Sequence, residues 1–233
     1  MAYISQGVLK TSNETYKIRR LDLADIPKMQ HVQQQAESVL EDKSSLQPLS
    51  SNEFSYILQG NGLMIGAFVK ESLIAFRALL VPPVDEFHLG YALDLKDQLE
   101  NIIYQEISVV HPAYRGNQLQ QKLAYAIMRE LDESSFEFRY VCATVAPRNI
   151  PSLKDKFYQG MVVGALQEMY AGKMRYIFVK DLQEKEKQYQ LETKVLPTSE
   201  IGLQQQLLKE GWQGIQLIQD GHQYSVKYAK RKH

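Results

Sequence analysis

The stretch Ile102-Ile103-Tyr104-Gln105-Glu106-Ile107-Ser108-Val109-Val110-His111-Pro112-Ala113-Tyr114-Arg115-Gly116-Asn117-Gln118-Leu119-Gln120-Gln121-Lys122-Leu123 decides the fold. It opens apolar and β-branched, ends its first run at Val109-Val110, and is broken by Pro112. From there Leu119, Leu123, Ile127 and Leu131 recur at every fourth position, the buried stripe of an α-helix. The spacing predicts a strand, a tight turn kept bare by Gly116, and a helix N-terminus just past the end of the strand. The first N–H groups of a helix have no partner within it and carry the positive end of its dipole. A junction of this kind suits phosphate oxygens.

Outward from the junction, short strands and helices follow one another. Tyr16 to Leu21 reads as a strand, and Asp22 and Asp25 ahead of Ile26-Pro27 offer a cap and a first-turn proline. A second helix is expected around Glu53 to Leu58. Leu63 to Val69 and Leu73 to Val81 flank Lys70-Glu71-Ser72 as a hairpin, closed by Pro82-Pro83. Arg139 to Val145 reads as a buried strand, followed by Pro147, Asn149 and Pro151. Val162 to Tyr170 and Met174 to Lys180 flank Ala171-Gly172-Lys173 as a second hairpin.

The central segment resembles the acyl-CoA-binding signature of the GNAT acetyltransferases (general-control-related N-acetyltransferases). In that family a strand ending Val-x-x-Pro leads to a loop reading Arg/Gln-x-x-Gly-x-Gly/Ala. Arg115 and Gly116 match the opening of the loop, while Gln118 and Gln120 stand at its two glycine positions. Asn149 and Ser152 match the Asn and small residue after the next strand, and Gly160-Met161 stand where the following helix closes with Gly-Phe. The resemblance covers roughly residues 15 to 182, within the few-residue uncertainty of such boundaries. It implies an α/β (α+β) fold, with a GNAT-type mixed, mainly antiparallel central sheet flanked by helices. It implies that Arg115, Gly116, Asn117, Gln118, Leu119 and Gln120, with Asn149 and Ser152, bind acetyl-CoA as acyl donor. A backbone N–H at Val109 or Val110, where the family parts two strands for the pantetheine, would donate to the thioester carbonyl.

Moving an acetyl group from a thioester to an amine needs a base for the ammonium, a donor for the carbonyl, and in many cases an acid for the leaving thiolate. Glu106 is the base candidate, an ionisable group in an apolar strand where burial raises a carboxyl pKa toward neutrality. The alternative for Glu106 is a solvent-face carboxylate. Tyr158 is the acid candidate by the resemblance, although the family's slot, counted from Asn149, falls on Lys156. Tyr104 and Arg77 are candidates to line an acceptor pocket. No metal site is expected, because the five histidines and the single cysteine lack ligand spacing.

Composition narrows the partners. Of 233 residues, 44% are apolar, enough for a substantial core, and 27 basic residues balance 27 acidic ones. A nucleic-acid partner is therefore not expected, since phosphate binding needs a basic excess. No run approaches the roughly 20 apolar residues of a membrane span. A single Cys142 and the lack of a signal-peptide pattern point to the cytoplasm. Residues 1–182 are expected to form the GNAT-type domain and 183–233 a small α/β extension docked on it. In the extension, Gln183 to Gln188 reads as a linker and Leu191 to Leu196 as a strand. Leu203, Leu207 and Leu208 read as a helix face, and two strands meet around Asp220-Gly221.

The resemblance thus implies an N-acetyltransferase moving an acetyl group from acetyl-CoA to a primary amine by direct attack in a ternary complex. A small-molecule amine is the expected acceptor, and no oligomeric state is legible. The alternative is a catalytically inactive acyl-CoA sensor or protein-interaction module with the same fold.

Overall fold

The computed structural model describes residues 3–40, 46–170, 172–184 and 188–232. The chain runs through β1 (Ser5–Val8), β2 (Thr15–Arg20), α1 (Ile26–Ser38), α2 (Ser51–Leu58), β3 (Gly62–Val69), β4 (Ser72–Leu80), α3 (Leu89–Ala92), β5 (Ile102–Val110) and α4 (Leu119–Asp132). It continues with β6 (Tyr140–Val145), α5 (Ile150–Tyr158), β7 (Val162–Met169), β8 (Lys173–Asp181), β9 (Tyr189–Pro197), α6 (Ile201–Lys209), β10 (Trp212–Asp220) and β11 (Gln223–Arg231). Two compact units result: Met1–Pro82 with Tyr104–Glu137, and Pro83–Ile103 with Phe138–His233.

In the first unit five strands lie in the order β1-β2-β3-β4-β5, each antiparallel to its neighbours. Side chains alternate along β4 and show what covers each face. Phe76 and Ala78 join Met29 and Val32 of α1 and Phe54 and Ile57 of α2 in one apolar core. Arg77, between them, reaches the other way and donates to the carbonyl of Gln120 in α4 at 3.2 Å. Helices therefore flank both faces. The predicted stripe of α4 is buried at all four positions, Leu119, Leu123, Ile127 and Leu131. Helix α2 starts on a capping box in which Glu53 N–H donates to Ser50 Oγ and Ser50 N–H to the Glu53 carboxylate. Strand β1 was not legible, because its sequence Ser-Gln-Gly-Val has no apolar alternation; pairing with β2 alone makes it a strand.

The second unit orders its strands β6-β8-β7-β10-β11-β9, again antiparallel throughout. The C-terminal strands join this sheet where Gly214 of β10 pairs with Val163 of β7. A Cβ on Gly214 would lie 2.9 Å from Val163 Cβ and 2.8 Å from Val226 Cγ1, so glycine is what permits the approach. Helix α6 packs on β7 and β10. Its expected apolar face needs correcting: Leu203 is exposed and Gln204 is fully buried beside Leu207. The reason is polar. Gln204 Oε1 accepts from the hydroxyls of Tyr176 (2.5 Å) and Tyr228 (2.6 Å), and its Nε2 donates to the Pro197 carbonyl at 3.0 Å. Cys142 is fully buried, and that burial pushes its thiol pKa up. Of the expected linker, residues 185–187 lie outside the described residues.

Candidate active site

The predicted strand, turn and helix are β5, a 3-10 turn over Pro112–Tyr114, and α4. The register between β4 and β5 contains a step that the sequence did not reveal. Ala78 pairs with Ile107 but Leu79 pairs with Gln105, so Glu106 is an extra residue in β5, a β-bulge. Ile107 and Val109 face the α1–α2 core. Gln105 lies on the opposite side, accepting from Arg77 at 2.7 Å and donating to Met128 Sδ of α4 at 3.9 Å. Strict alternation would put Gln105 and Ile107 on one face. The bulge breaks that alternation and re-aims the residue between them, a device over-represented next to active sites.

Glu106 is half-buried, its carboxyl group enclosed while part of the residue reaches solvent. Desolvation is the main cause, and the charge of Glu53 the second, of a carboxyl pKa pushed up to about 7. Glu53 is held in place by its own cap, accepting from Ser50 N–H at 2.8 Å and Ser50 Oγ at 2.7 Å. The charge of a fixed carboxylate thus adds to the desolvation that brings Glu106 near neutrality. The Ser50-x-x-Glu53 capping pattern was readable in the sequence, but its closeness to Glu106 depends on how α2 packs.

The end of β5 distinguishes the two candidate backbone donors. His111 N–H donates to the Ile74 carbonyl at 2.9 Å, and the register pairs Val109 with Phe76 and Val110 with Ala75. In an antiparallel ladder the hydrogen-bonding side alternates, so Val109 N–H is directed at β4 and Val110 N–H away from it. His111 then caps the 3-10 turn, its Nδ1 accepting from Ala113 N–H at 3.2 Å. Beside that turn lies a cavity of about 560 Å³ lined by Lys28, His31, Leu73, His111 and Tyr114. His111 is five residues beyond Glu106, about 15 Å along a strand, so this cavity is not where an acceptor would meet Glu106.

The loop after the turn is clamped by Asn117, which is fully buried. Its Oδ1 accepts from Thr11 N–H at 3.1 Å, and its Nδ2 donates to Thr11 Oγ1 at 2.9 Å and to the Tyr114 carbonyl at 3.0 Å. Gly116 and Gln118 on either side have φ of 82° and 58°. Gln118, at a glycine position of the signature, therefore takes the left-handed conformation that a glycine adopts freely. Its side chain is exposed and provides no cap for α4, whose first turn holds no acidic residue. Lys122 N–H reaches back to the Gln118 carbonyl at 3.1 Å, leaving the amides of Leu119, Gln120 and Gln121 as the uncapped first turn. Exposed Arg115 lies beside this uncapped turn, and a cation next to free helix amides is the chemistry that suits an anion.

Among the other candidates, Asn149 and Ser152 do come together: Asn149 Oδ1 accepts from Ser152 N–H at 3.1 Å as the cap of α5. Capping accounts for their spacing without a ligand. Tyr158, at the end of the same helix, is 71% exposed, whereas Lys156 is buried beside Asp155 at 3.4 Å. These residues belong to the second unit, the remaining candidates to the first. Arg77 is no pocket residue: it is fully buried and braces α4 against the sheet. Among the described residues no cluster of three His, Cys, Asp or Glu could hold a metal ion.

No protein-family model matches the chain, and no curated relative does. Solved structures do. The yncA protein of Salmonella typhimurium, solved with its cofactor acetyl-CoA, shares 14% identity at a TM-score of 0.54, over 72% of this chain and 95% of that one. A GNAT-family acetyltransferase of Streptococcus pneumoniae shares 17% identity at 0.54, over 71% and 98%. The ribosomal-protein-S18-alanine N-acetyltransferase of Escherichia coli shares 15% identity at 0.54, over 73% and 96%. At such identities the likeness is one of fold. The fold is that of the GNAT acetyltransferases, a mixed α/β architecture with a mainly antiparallel sheet, as the resemblance of the β5–α4 segment implied.

Proposed function

We propose that this protein is an acetyl-CoA-dependent N-acetyltransferase acting on a primary amine by direct attack. The observation that carries the reading is Glu106, the extra residue of the β5 bulge, with a carboxyl pKa of about 7 to which the fixed carboxylate of Glu53 contributes. Near neutral pH such a group both accepts and returns a proton, which a general base requires. The pair of carboxylates favours an ammonium over a neutral acceptor. The donor's diphosphate lies on the uncapped first turn of α4, between Arg115 and Gln120. Bound there, acetyl-CoA supplies the thioester.

Glu106, directly or through one water, takes a proton from the ammonium, and the amine nitrogen attacks the thioester carbonyl. Val110 N–H, directed away from β4, donates to the oxyanion that forms. Collapse breaks the C–S bond and releases the thiolate of coenzyme A; the nitrogen gives up its second proton to solvent as the amide forms, and the thiolate takes one up from solvent, with Tyr158 an acid candidate on the resemblance alone. Three structural neighbours are named for acetylating ribosomal-protein alanines, so a protein amine stands beside a small-molecule amine as acceptor class.

Calorimetry with acetyl-CoA, followed by an amine and peptide screen, tests the reading. The wild type should bind and turn over, and Glu106→Gln should keep binding while turnover falls about 10²–10⁴-fold. Gly116→Val, which places a branched side chain at φ 82°, should lose binding. Binding without turnover over a broad panel would instead identify an acyl-CoA sensor, and no binding at all a protein-interaction module.

A further inference from the structure

The turn between β1 and β2 reaches across the first unit to the loop ahead of α4. Its residues 9–14 close on themselves. Leu9 N–H donates to the Glu14 carbonyl at 2.9 Å, Asn13 N–H to the Leu9 carbonyl at 3.0 Å, and Ser12 Oγ to the Glu14 carboxylate at 2.9 Å. Asn13 takes φ 61°, a left-handed conformation that asparagine tolerates in turns. Leu9 is fully buried and anchors the base of the turn, while Thr11 at its tip is exposed. Within the hairpin Gly7 pairs with Tyr16, and a Cβ on Gly7 would lie 2.7 Å from Tyr16 Cζ, so the glycine makes room for that ring. The Lys122 ammonium of α4 lies 4.8 Å from the centre of the same ring.

Thr11 meets Asn117, 106 positions further along the chain. Its N–H donates to Asn117 Oδ1 at 3.1 Å and its Oγ1 accepts from Asn117 Nδ2 at 2.9 Å, so one residue holds both ends of a fully buried amide. The bond from Asn117 Nδ2 to the Tyr114 carbonyl closes the loop on itself; the bonds to Thr11 tie it to the sheet. That tie falls between two left-handed residues, Gly116 at φ 82° and Gln118 at φ 58°. For a glutamine this conformation is unfavourable, and it persists where the surroundings determine it. The amides of the first turn of α4 begin at the next residue, so the path through Gly116, Asn117 and Gln118 sets where they stand.

We propose that Thr11 is a positioning residue for the donor's diphosphate. Acting through Asn117, it holds Gly116 and Gln118 in the backbone path from which the first-turn amides of α4 meet the ligand. The inference rests on the reading that this loop binds acetyl-CoA, and it assigns the β1–β2 turn a part in that binding. Thr11 is exposed, so removing its hydroxyl acts on the loop and spares the core.

Two substitutions in the full chain test it. Thr11→Val keeps the shape and the N–H but removes Oγ1, taking an acceptor from the buried Asn117 amide, whereas Thr11→Ser keeps the hydroxyl. Without ligand, the amides of residues 115–122 should exchange with deuterium about tenfold faster in Thr11→Val, the worth of one hydrogen bond to a buried group. Those of β3 and β4 should exchange as in the wild type. By calorimetry Thr11→Val should bind acetyl-CoA about tenfold more weakly, and Thr11→Ser as tightly as the wild type. A wild type that binds no acetyl-CoA overturns the donor reading, and with it the diphosphate as the group being positioned. Where the wild type binds, three results overturn the role of Thr11 alone: undiminished affinity in Thr11→Val, a loss that Thr11→Ser does not restore, or loop exchange unchanged by Thr11→Val. Weaker binding with faster exchange throughout β3 and β4 would mark a general loss of stability and overturn it as well.

Discussion

Replacing Glu106 with Gln should make the protein more stable, and the gain should depend on pH in a defined way. In the unfolded chain the Glu106 carboxyl titrates at 4.5, and in the folded protein at about 7, chiefly because of desolvation. Between those values the folded state binds more protons than the unfolded state, so raising the pH destabilises the fold. The interval amounts to about 3 kcal/mol at about 1.4 kcal/mol per pKa unit. Partial exposure of the residue lowers the expected effect to between about 1 and 3 kcal/mol. Glutamine has the same shape and no charge, so it escapes the penalty. Urea unfolding of wild type and variant, followed by circular dichroism, reads this directly. At pH 4 both side chains are neutral and the two curves should nearly coincide. By pH 8 the variant should be the more stable by the full amount. A gap that is absent at pH 8, or equally large at pH 4, would refute the picture of a desolvated carboxylate at the bulge and remove the physical basis for Glu106 as base.

Three other outcomes can be measured. Gln118→Gly should stabilise the protein by about 1 kcal/mol, because a glutamine now occupies φ 58°; unchanged or reduced stability would mean that the left-handed turn costs nothing there. Gln204→Leu strips the shared acceptor from two buried tyrosine hydroxyls and should cost about 2–5 kcal/mol in urea unfolding, a loss expected only if α6 is docked on the sheet of the second unit. Arg19→Met should destabilise by about 2–4 kcal/mol near neutrality, since it removes the two-point contact at 2.6 and 2.8 Å to buried Asp25. Although desolvation opposes it, hydrogen bonds from Arg19 and from the Asp22 backbone hold the Asp25 carboxyl below 3.8. That contribution is present above 3.8 and disappears as pH falls through the folded value, so the gap between wild type and Arg19→Met should close in acid.

What could be read from the sequence alone was set by neighbours in the chain. The stripe of α4, the hairpin turns around Lys70 and Gly172, the cap ahead of Pro27 and the bare Gly116 turn depend on residues a few positions apart, and all of them appear in the fold. The GNAT likeness of the β5–α4 junction was legible for the same reason. What only the tertiary structure decided depends on pairing between distant segments. The extra residue at Glu106 exists only in the register of β5 against β4, and its raised pKa only in the enclosure around it and the approach of Glu53. Arg77 and Gln204 look like surface residues in sequence, yet each is fully buried, because Gln105 and the Gln120 carbonyl accept from the one and two tyrosine hydroxyls donate to the other. Hydrophobic periodicity reports which side of an element faces inward, but the partner that satisfies a buried polar group is set by contacts between residues far apart in the chain.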